Sequence, residues 1–160
     1  MHDIIIIGAG PAGLSAAIYS VRKKLKTLIL TEDLGGQISE AHRVENYLGI
    51  PEIPGIDLIE KFRDHAKKFN IEIKGTSNYE ETKNSDIVVI TSGIARKLGM
   101  SRDELLTINT KIVREVAEKS AAYSPNAVMI VVTNPLDAMT YIASKASKLP
   151  KHKVVGMGSI

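Results

Sequence analysis

Ile4-Ile5-Ile6-Ile7-Gly8-Ala9-Gly10-Pro11-Ala12-Gly13 joins an unbroken run of β-branched residues to a loop punctuated by glycine at every second or third place. Four isoleucines in succession leave no polar face, so the run predicts a short strand covered on both sides, as strands of a parallel sheet are. The residues that follow, 11–23, bring Leu14, Ala17, Ile18 and Val21 onto one stripe and predict a helix. A GxGxxG string set between a strand and a helix has the context of a dinucleotide fingerprint. Gly8 would allow the tight turn, Gly10 would let a pyrophosphate approach the backbone, and Gly13 would let the helix pack on the strand. The free amides and dipole of the helix start would attract the phosphates. A plain glycine turn without a ligand is the competing reading of the same residues.

Working outward, five more strand-like segments follow at 27–30, 71–73, 87–90, 128–132 and 154–155. Helical stretches separate them. Residues 56–69 place Ile59, Phe62, Ala66 and Phe69 at helical spacing, and a further helix opens with Ser101-Arg102-Asp103-Glu104, a capping box, carrying Leu105, Ile108, Ile112 and Val116 inward. A last helix is expected from Pro135 to about 147. The alternation implies an α/β fold: a doubly wound, Rossmann-like parallel sheet of six strands in the order 3-2-1-4-5-6. The long step from strand 3 to strand 4 is feasible. Its eleven residues, 75–85, reach about 36 Å when extended, against about 14 Å across three strand spacings, even with one helical turn near 79–82.

The 160 residues, 44% apolar and 24% charged, suit one domain spanning 1–160 and exclude collagen-like and disordered compositions. The absence of cysteine removes disulfides, thiolate metal sites and any dithiol couple. The net charge of +3 is too small to imply nucleic acid. It is also unevenly spread, with net −1 over residues 1–73 and +4 over 74–160. No apolar stretch approaches a membrane span and no secretion signal opens the chain, so a soluble, cytoplasmic protein without a membrane partner is expected. No metal cluster is evident. His2, His42, His65 and His152 read as surface residues.

Residues 1 to about 73 resemble the FAD-binding N-terminal segment of the thioredoxin reductase family. The resemblance rests on the stretch from Ile6 to Tyr19, on Gly35-Gly36-Gln37-Ile38, and on Val44-Glu45-Asn46-Tyr47-Leu48-Gly49. It implies that Gly35, Gly36, Gln37 and Asn46 line a flavin, although Gly35-Gly36 as a plain loop and Asn46 as a turn residue remain open. The acidic residue sought at the end of strand 2 for a ribose diol is Glu32, one place beyond Thr31. Disulfide reductase chemistry is excluded, because that family's redox dithiol needs cysteines.

From about Lys74 to Gly158 the chain resembles the second half of the NAD-binding domain of lactate dehydrogenase-like malate dehydrogenases. The residues concerned are Asn84 to Gly93, Ala95 to Leu105, Asn109, and Val132-Thr133-Asn134-Pro135-Leu136-Asp137-Ala138-Met139-Thr140-Tyr141. By this resemblance Arg96 and Arg102 bind the carboxylates of a small 2-oxo or 2-hydroxy acid, as guanidinium forks can. Asn109 and Val132 to Asn134 face NAD, with Asn134 also reaching substrate. Arg96 and Arg102 as solvated loop charges are the alternative. The family's further arginine and its Asp-oriented His would follow the sixth strand, beyond the last residues of the sequence, so no catalytic residue is assigned here.

Together the halves suggest an engineered chimeric Rossmann scaffold with its parental seam near 70–76. Residual dinucleotide binding is its remaining property and no catalytic site is intact. The alternative is an FAD- or NAD-binding module with weak oxidoreductase activity. In either case the expected partner is a dinucleotide, FAD or NAD, if any.

Overall fold

A computed structural model describes residues 2–32, 35–76, 78–96 and 99–158. The strands are β1 (Ile4–Ile7), β2 (Thr27–Thr31), β3 (Glu72–Gly75), β4 (Ile87–Ile90), β5 (Val128–Val131) and β6 (Val154–Gly156). The helices are α1 (Pro11–Arg22), α2 (Gly55–Lys67), α3 (Arg102–Tyr123) and α4 (Leu136–Ser147), with 3-10 turns at Gly36–Glu40, Tyr79–Thr82 and Lys151–Lys153. The strands form one parallel sheet in the order β3-β2-β1-β4-β5-β6. The fold is therefore the doubly wound α/β fold expected from the sequence.

The isoleucine run explains why β1 lies at the centre. Successive side chains of a strand point to opposite faces. Ile5 and Ile7 enter a core with Val113, Ala117, Met139 and Ala143 from α3 and α4. Ile4 and Ile6 enter a second core with Leu14, Ala17, Ile59 and Ala66 from α1 and α2. Both edges of β1 are paired, Ile4 to Ile7 running against Thr27 to Leu30 on one side and Ile87 to Ile90 on the other.

Three local expectations shift. The third strand is Glu72–Gly75 rather than 71–73: it is an edge strand that pairs only with β2, and Ile71 is buried just ahead of it. The last helix starts at Leu136, with Pro135 as its extended N-cap. The inward face of α3 is rotated from the predicted stripe. Asn109, Val113, Val116, Ala117, Ser120 and Ala121 are buried, while Leu105, Ile108 and Ile112 are only partly covered. The capping box itself is present, with Ser101 Oγ accepting from Glu104 N and Glu104 Oε2 accepting from Ser101 N.

Two features position the site. Residues 78–85 are tied to the end of α3 by buried hydroxyls. Ser85 N donates to Ser124 Oγ at 3.0 Å, Ser85 Oγ donates to the Thr82 carbonyl at 2.7 Å, and Ser124 Oγ donates to the same carbonyl. The 35–54 loop docks on the start of α2, where Gly55 N donates to the Ala41 carbonyl at 2.9 Å. A Cβ on Gly55 would stand 1.9 Å from the Ile38 carbonyl oxygen, so only glycine admits this approach. Among the described residues, no helix is long and apolar enough to cross a membrane.

Candidate functional site

In an open parallel sheet the crevice forms where connections leave in opposite directions, beyond the carboxyl ends of the strands. Here that point lies between β1 and β4, and a cavity of about 760 Å³ opens there. Its floor is the glycine loop. Gly8 takes φ +114°, a conformation that suits glycine, and a Cβ on Gly13 would stand 2.0 Å from the Gly8 carbonyl oxygen, so helix and strand meet at van der Waals contact. Gly10 differs from both, because nothing lies within 4 Å of its missing Cβ and it faces the cavity. No side chain caps the start of α1 and no acidic residue sits in its first turn. Its amides and dipole are therefore available to an anion.

The two ends of the cavity differ in chemistry. At the end nearer β2 and β3, Glu32, Gly36, Gln37, Thr76, Asn78, Tyr79 and, from α3, Glu115 form the wall. Burial first, then the charges of Glu115 and Glu32, push the Tyr79 phenol up to about 12. That hydroxyl is therefore a hydrogen-bond donor throughout the neutral range. Lys119 lies over its ring, 5.3 Å from the centroid, and also pairs with Glu115. At the other end, Thr91 to Ala95 and Val132 to Asn134 form the wall. Thr91 Oγ1 donates to the Ile7 carbonyl at 3.0 Å, and Thr133 Oγ1 donates to the Ser92 carbonyl at 2.7 Å, fixing these loops to each other and to the glycine loop. Ser92 borders the cavity, and its buried Oγ has no partner among the described residues.

The residues expected at the site divide. Gly8, Gly10, Glu32, Gly36, Gln37, Val132 and Asn134 are brought together on one cavity wall. Gly13 and Gly35 stand behind it, Gly13 against the Gly8 carbonyl and Gly35 against Ser39 and Ile59. Asn46 is held elsewhere, in a shallow exposed hollow with Tyr47 to Pro51. Bridges of Val44 to Ile53 and Tyr47 to Ile50 turn that segment back on itself. Arg96 is exposed and its Nε donates to the Met100 carbonyl at 2.8 Å, while Arg102 is exposed as the first residue of α3. Neither arginine is on the cavity wall. Lys97 and Leu98, quoted in the motif between them, lie outside the described residues.

Asn109 does not face the cavity either. It is 1% exposed and its carboxamide is spent on backbone. Sequence reasoning missed Tyr79, Thr91, Ser92 and Glu115. The first residues after β4 were within reach of the switch-point rule. Tyr79 and Glu115 were not, because their meeting depends on how residues 78–85 lie on α3.

A parallel sheet with this order, a glycine loop at its switch point and a long cavity with unlike ends defines a dinucleotide-binding Rossmann protein. A family model for the lactate/malate dehydrogenase NAD-binding domain matches residues 57–156, and a model for an NAD(P)-binding Rossmann-like domain matches residues 6–54. The chain belongs to the lactate/malate dehydrogenase NAD-binding-domain family. It is 46% identical over 157 residues to a malate dehydrogenase of Heliobacterium modesticaldum, covering 98% of this chain and 46% of that protein. Among solved structures, the malate dehydrogenase of Cryptosporidium parvum superposes with a TM-score of 0.68 at 37% identity, covering 97% of this chain and 45% of that one. The malate dehydrogenase of Archaeoglobus fulgidus in complex with NADH gives 0.69 at 30% identity, covering 97% of this chain and 48% of that one. The chain thus spans about half the length of the relatives it matches. Over residues 6–54 the matches support an NAD(P)-binding Rossmann-like domain, and they show neither a thioredoxin reductase segment nor an engineered join.

Proposed function

We propose that this chain is the NAD-binding portion of a dehydrogenase of the malate type, acting on a small 2-hydroxy acid. One observation carries the reading: a single cavity wall runs from Glu32, across Gly8 and Gly10 at the start of α1, to Asn134. The residues fit a dinucleotide. The open face of Gly10 admits a pyrophosphate, and the uncapped helix start meets its charge. Glu32 would hold the adenosine ribose, with Tyr79 and Asn78 beside it. Thr91 to Ile94 and Val132 to Asn134 would orient the nicotinamide and exclude water from its reacting face. NAD, when bound, supplies hydride acceptance from the alcohol carbon. Arg96 and Arg102 would hold the substrate carboxylates, Arg96 exchanging the Met100 carbonyl for that charge. None of the four histidines lines the cavity, so proton transfer is assigned to no residue of this chain. Titration calorimetry of the purified chain tests the reading: NAD and ADP should bind, and absence of both heats would overturn it.

A second reading takes FAD as the ligand and residues 1 to about 73 as a flavoprotein-like half joined to a dehydrogenase-like one. It draws on Gly36 and Gln37, which stand on the cavity wall. The placement of Asn46 counts against it. A flavin absorption spectrum surviving purification, or FAD binding tighter than NAD, would favour this reading over the first.

A further inference from the structure

We propose that Ser124, the residue that ends α3, is a positioning residue for the adenosine end of the cavity: its hydroxyl clasps the turn that carries Tyr79 without reaching the ligand. The inference rests on the dinucleotide-binding reading above. Three wall residues of that end, Thr76, Asn78 and Tyr79, come from the connection between β3 and β4, and Glu115 comes from α3. Ser124, Thr82 and Ser85 do not line the cavity. They are 1%, 0% and 4% exposed, so water has no access to replace a bond lost among them.

The Ser124 hydroxyl is engaged in both directions. It accepts from Ser85 N at 3.0 Å and donates to the Thr82 carbonyl. Thr82 passes the constraint on, since its Oγ1 donates to the Tyr79 carbonyl at 2.7 Å. Two hydroxyls in series thus join the end of α3 to the backbone of Tyr79. The ring of Tyr79 is referred to the same helix, lying under Lys119 Nζ at 5.3 Å, and Lys119 also pairs with Glu115. Tyr79 and Glu115, remote in sequence, are therefore set against each other by one element. Ser124→Ala would leave the Ser85 amide only its 3.3 Å bond to the Thr82 carbonyl, within its own turn. The bond from Asn84 N to the Tyr123 carbonyl would then be the one hydrogen bond, among the described residues, between this connection and α3.

The test measures ADP affinity by calorimetry, and the Tyr79 phenol midpoint by NMR on isotope-labelled tyrosine, in the wild type, Ser124→Ala, Thr82→Val and Thr82→Ser. Ile6→Ala serves as a variant destabilised away from the clasp. Ser124→Ala and Thr82→Val should each weaken ADP binding about three- to tenfold, the scale of one lost hydrogen bond. The double variant should lose little more than either alone, because the two hydroxyls act in series. Thr82→Ser, which keeps the hydroxyl, should bind ADP within about twofold of wild type. Burial is the first cause of the raised Tyr79 midpoint, ahead of the charges of Glu115 and Glu32, so loosening the turn should bring that midpoint down from about 12 in Ser124→Ala and Thr82→Val. Ile6→Ala should move neither quantity. An equal loss of ADP affinity in Ile6→Ala would make Ser124 a general stability residue and overturn the proposal. So would a loss that Thr82→Ser shares, or a Tyr79 midpoint that stays in place in Ser124→Ala. If the clasp variants do not fold, the wild type decides: ADP should slow hydrogen exchange of the Ser85 amide, and unchanged exchange refutes the clasp. A wild type that binds no ADP refutes the dinucleotide reading instead, and the Tyr79 midpoint in Ser124→Ala still judges the clasp.

Discussion

Gly10 and Gly13 look alike in the sequence, yet the space around them separates their roles. Gly10→Ala should leave stability nearly unchanged, because a Cβ there meets nothing within 4 Å. Gly13→Ala forces a methyl to 2.0 Å from a carbonyl oxygen, so it should cost more than about 1–3 kcal/mol in a denaturant titration. Gly10→Asp would place a carboxylate in the anion site. A unit charge at about 4 Å is worth several kcal/mol near a protein surface, so NAD and ADP affinity should drop at least about a hundredfold by calorimetry with the fold intact. Undiminished binding would put the phosphates elsewhere. Tyr79 gives a second measurable signature. Its phenol should titrate at about 12 in an ultraviolet pH titration. Its neutral form is favoured by the fold, so this contribution to stability is complete below about pH 10, the unfolded value, and is lost as pH rises through the folded value. Glu115→Gln should move the midpoint down, because one of the charges opposing the phenolate is removed.

The helix α3 shows what local pattern can and cannot specify. Its start was legible to the residue, since Ser101 and Glu104 cap each other's amides whatever the rest of the chain does. The inward face was not, because a 22-residue helix carries apolar residues on more than one stripe and the cavity claims part of the surface. Ile112 borders that cavity, so the predicted stripe is only half covered, and the face buried on the sheet instead includes the polar Asn109 and Ser120. Hydrogen bonds to Ser101 hold the Glu104 carboxyl below its ordinary value of 4.5. The stabilisation is therefore present above the unfolded pKa and is lost as pH falls through the lower folded one. Glu104→Gln should lower thermal stability at neutral pH, and the gap to wild type should close on acidification through that window. A gap independent of pH would show that the carboxylate charge is not what stabilises the box. Asn46 stands away from the cavity for the same kind of reason: a motif specifies residue types, but the bridges that fold 44–53 back on itself decide where the residue lies.

For the whole molecule, the sheet order was readable because six apolar runs, a glycine loop after the first and a long crossing after the third leave few other topologies. The joint between the strands of the two resembling stretches is then a β1–β4 pairing in the middle of the sheet. We expect the chain to unfold as one domain. Fluorescence, circular dichroism and calorimetry should report one coincident transition, and two separated transitions in all probes would show independent halves. Ile6→Ala, at a fully buried site on the central strand, should lower stability by about 2–5 kcal/mol without splitting that transition. The central place of β1 also bears on events before the protein is complete. The second neighbour of Ile4 is Ile87, 83 residues further along, so on the ribosome this strand waits for that length of chain with one backbone edge unpaired. An unpaired apolar strand is a template for the wrong partner. Slower translation across 75–86 should therefore lengthen the interval in which nascent chains need a chaperone, while leaving the finished fold untouched.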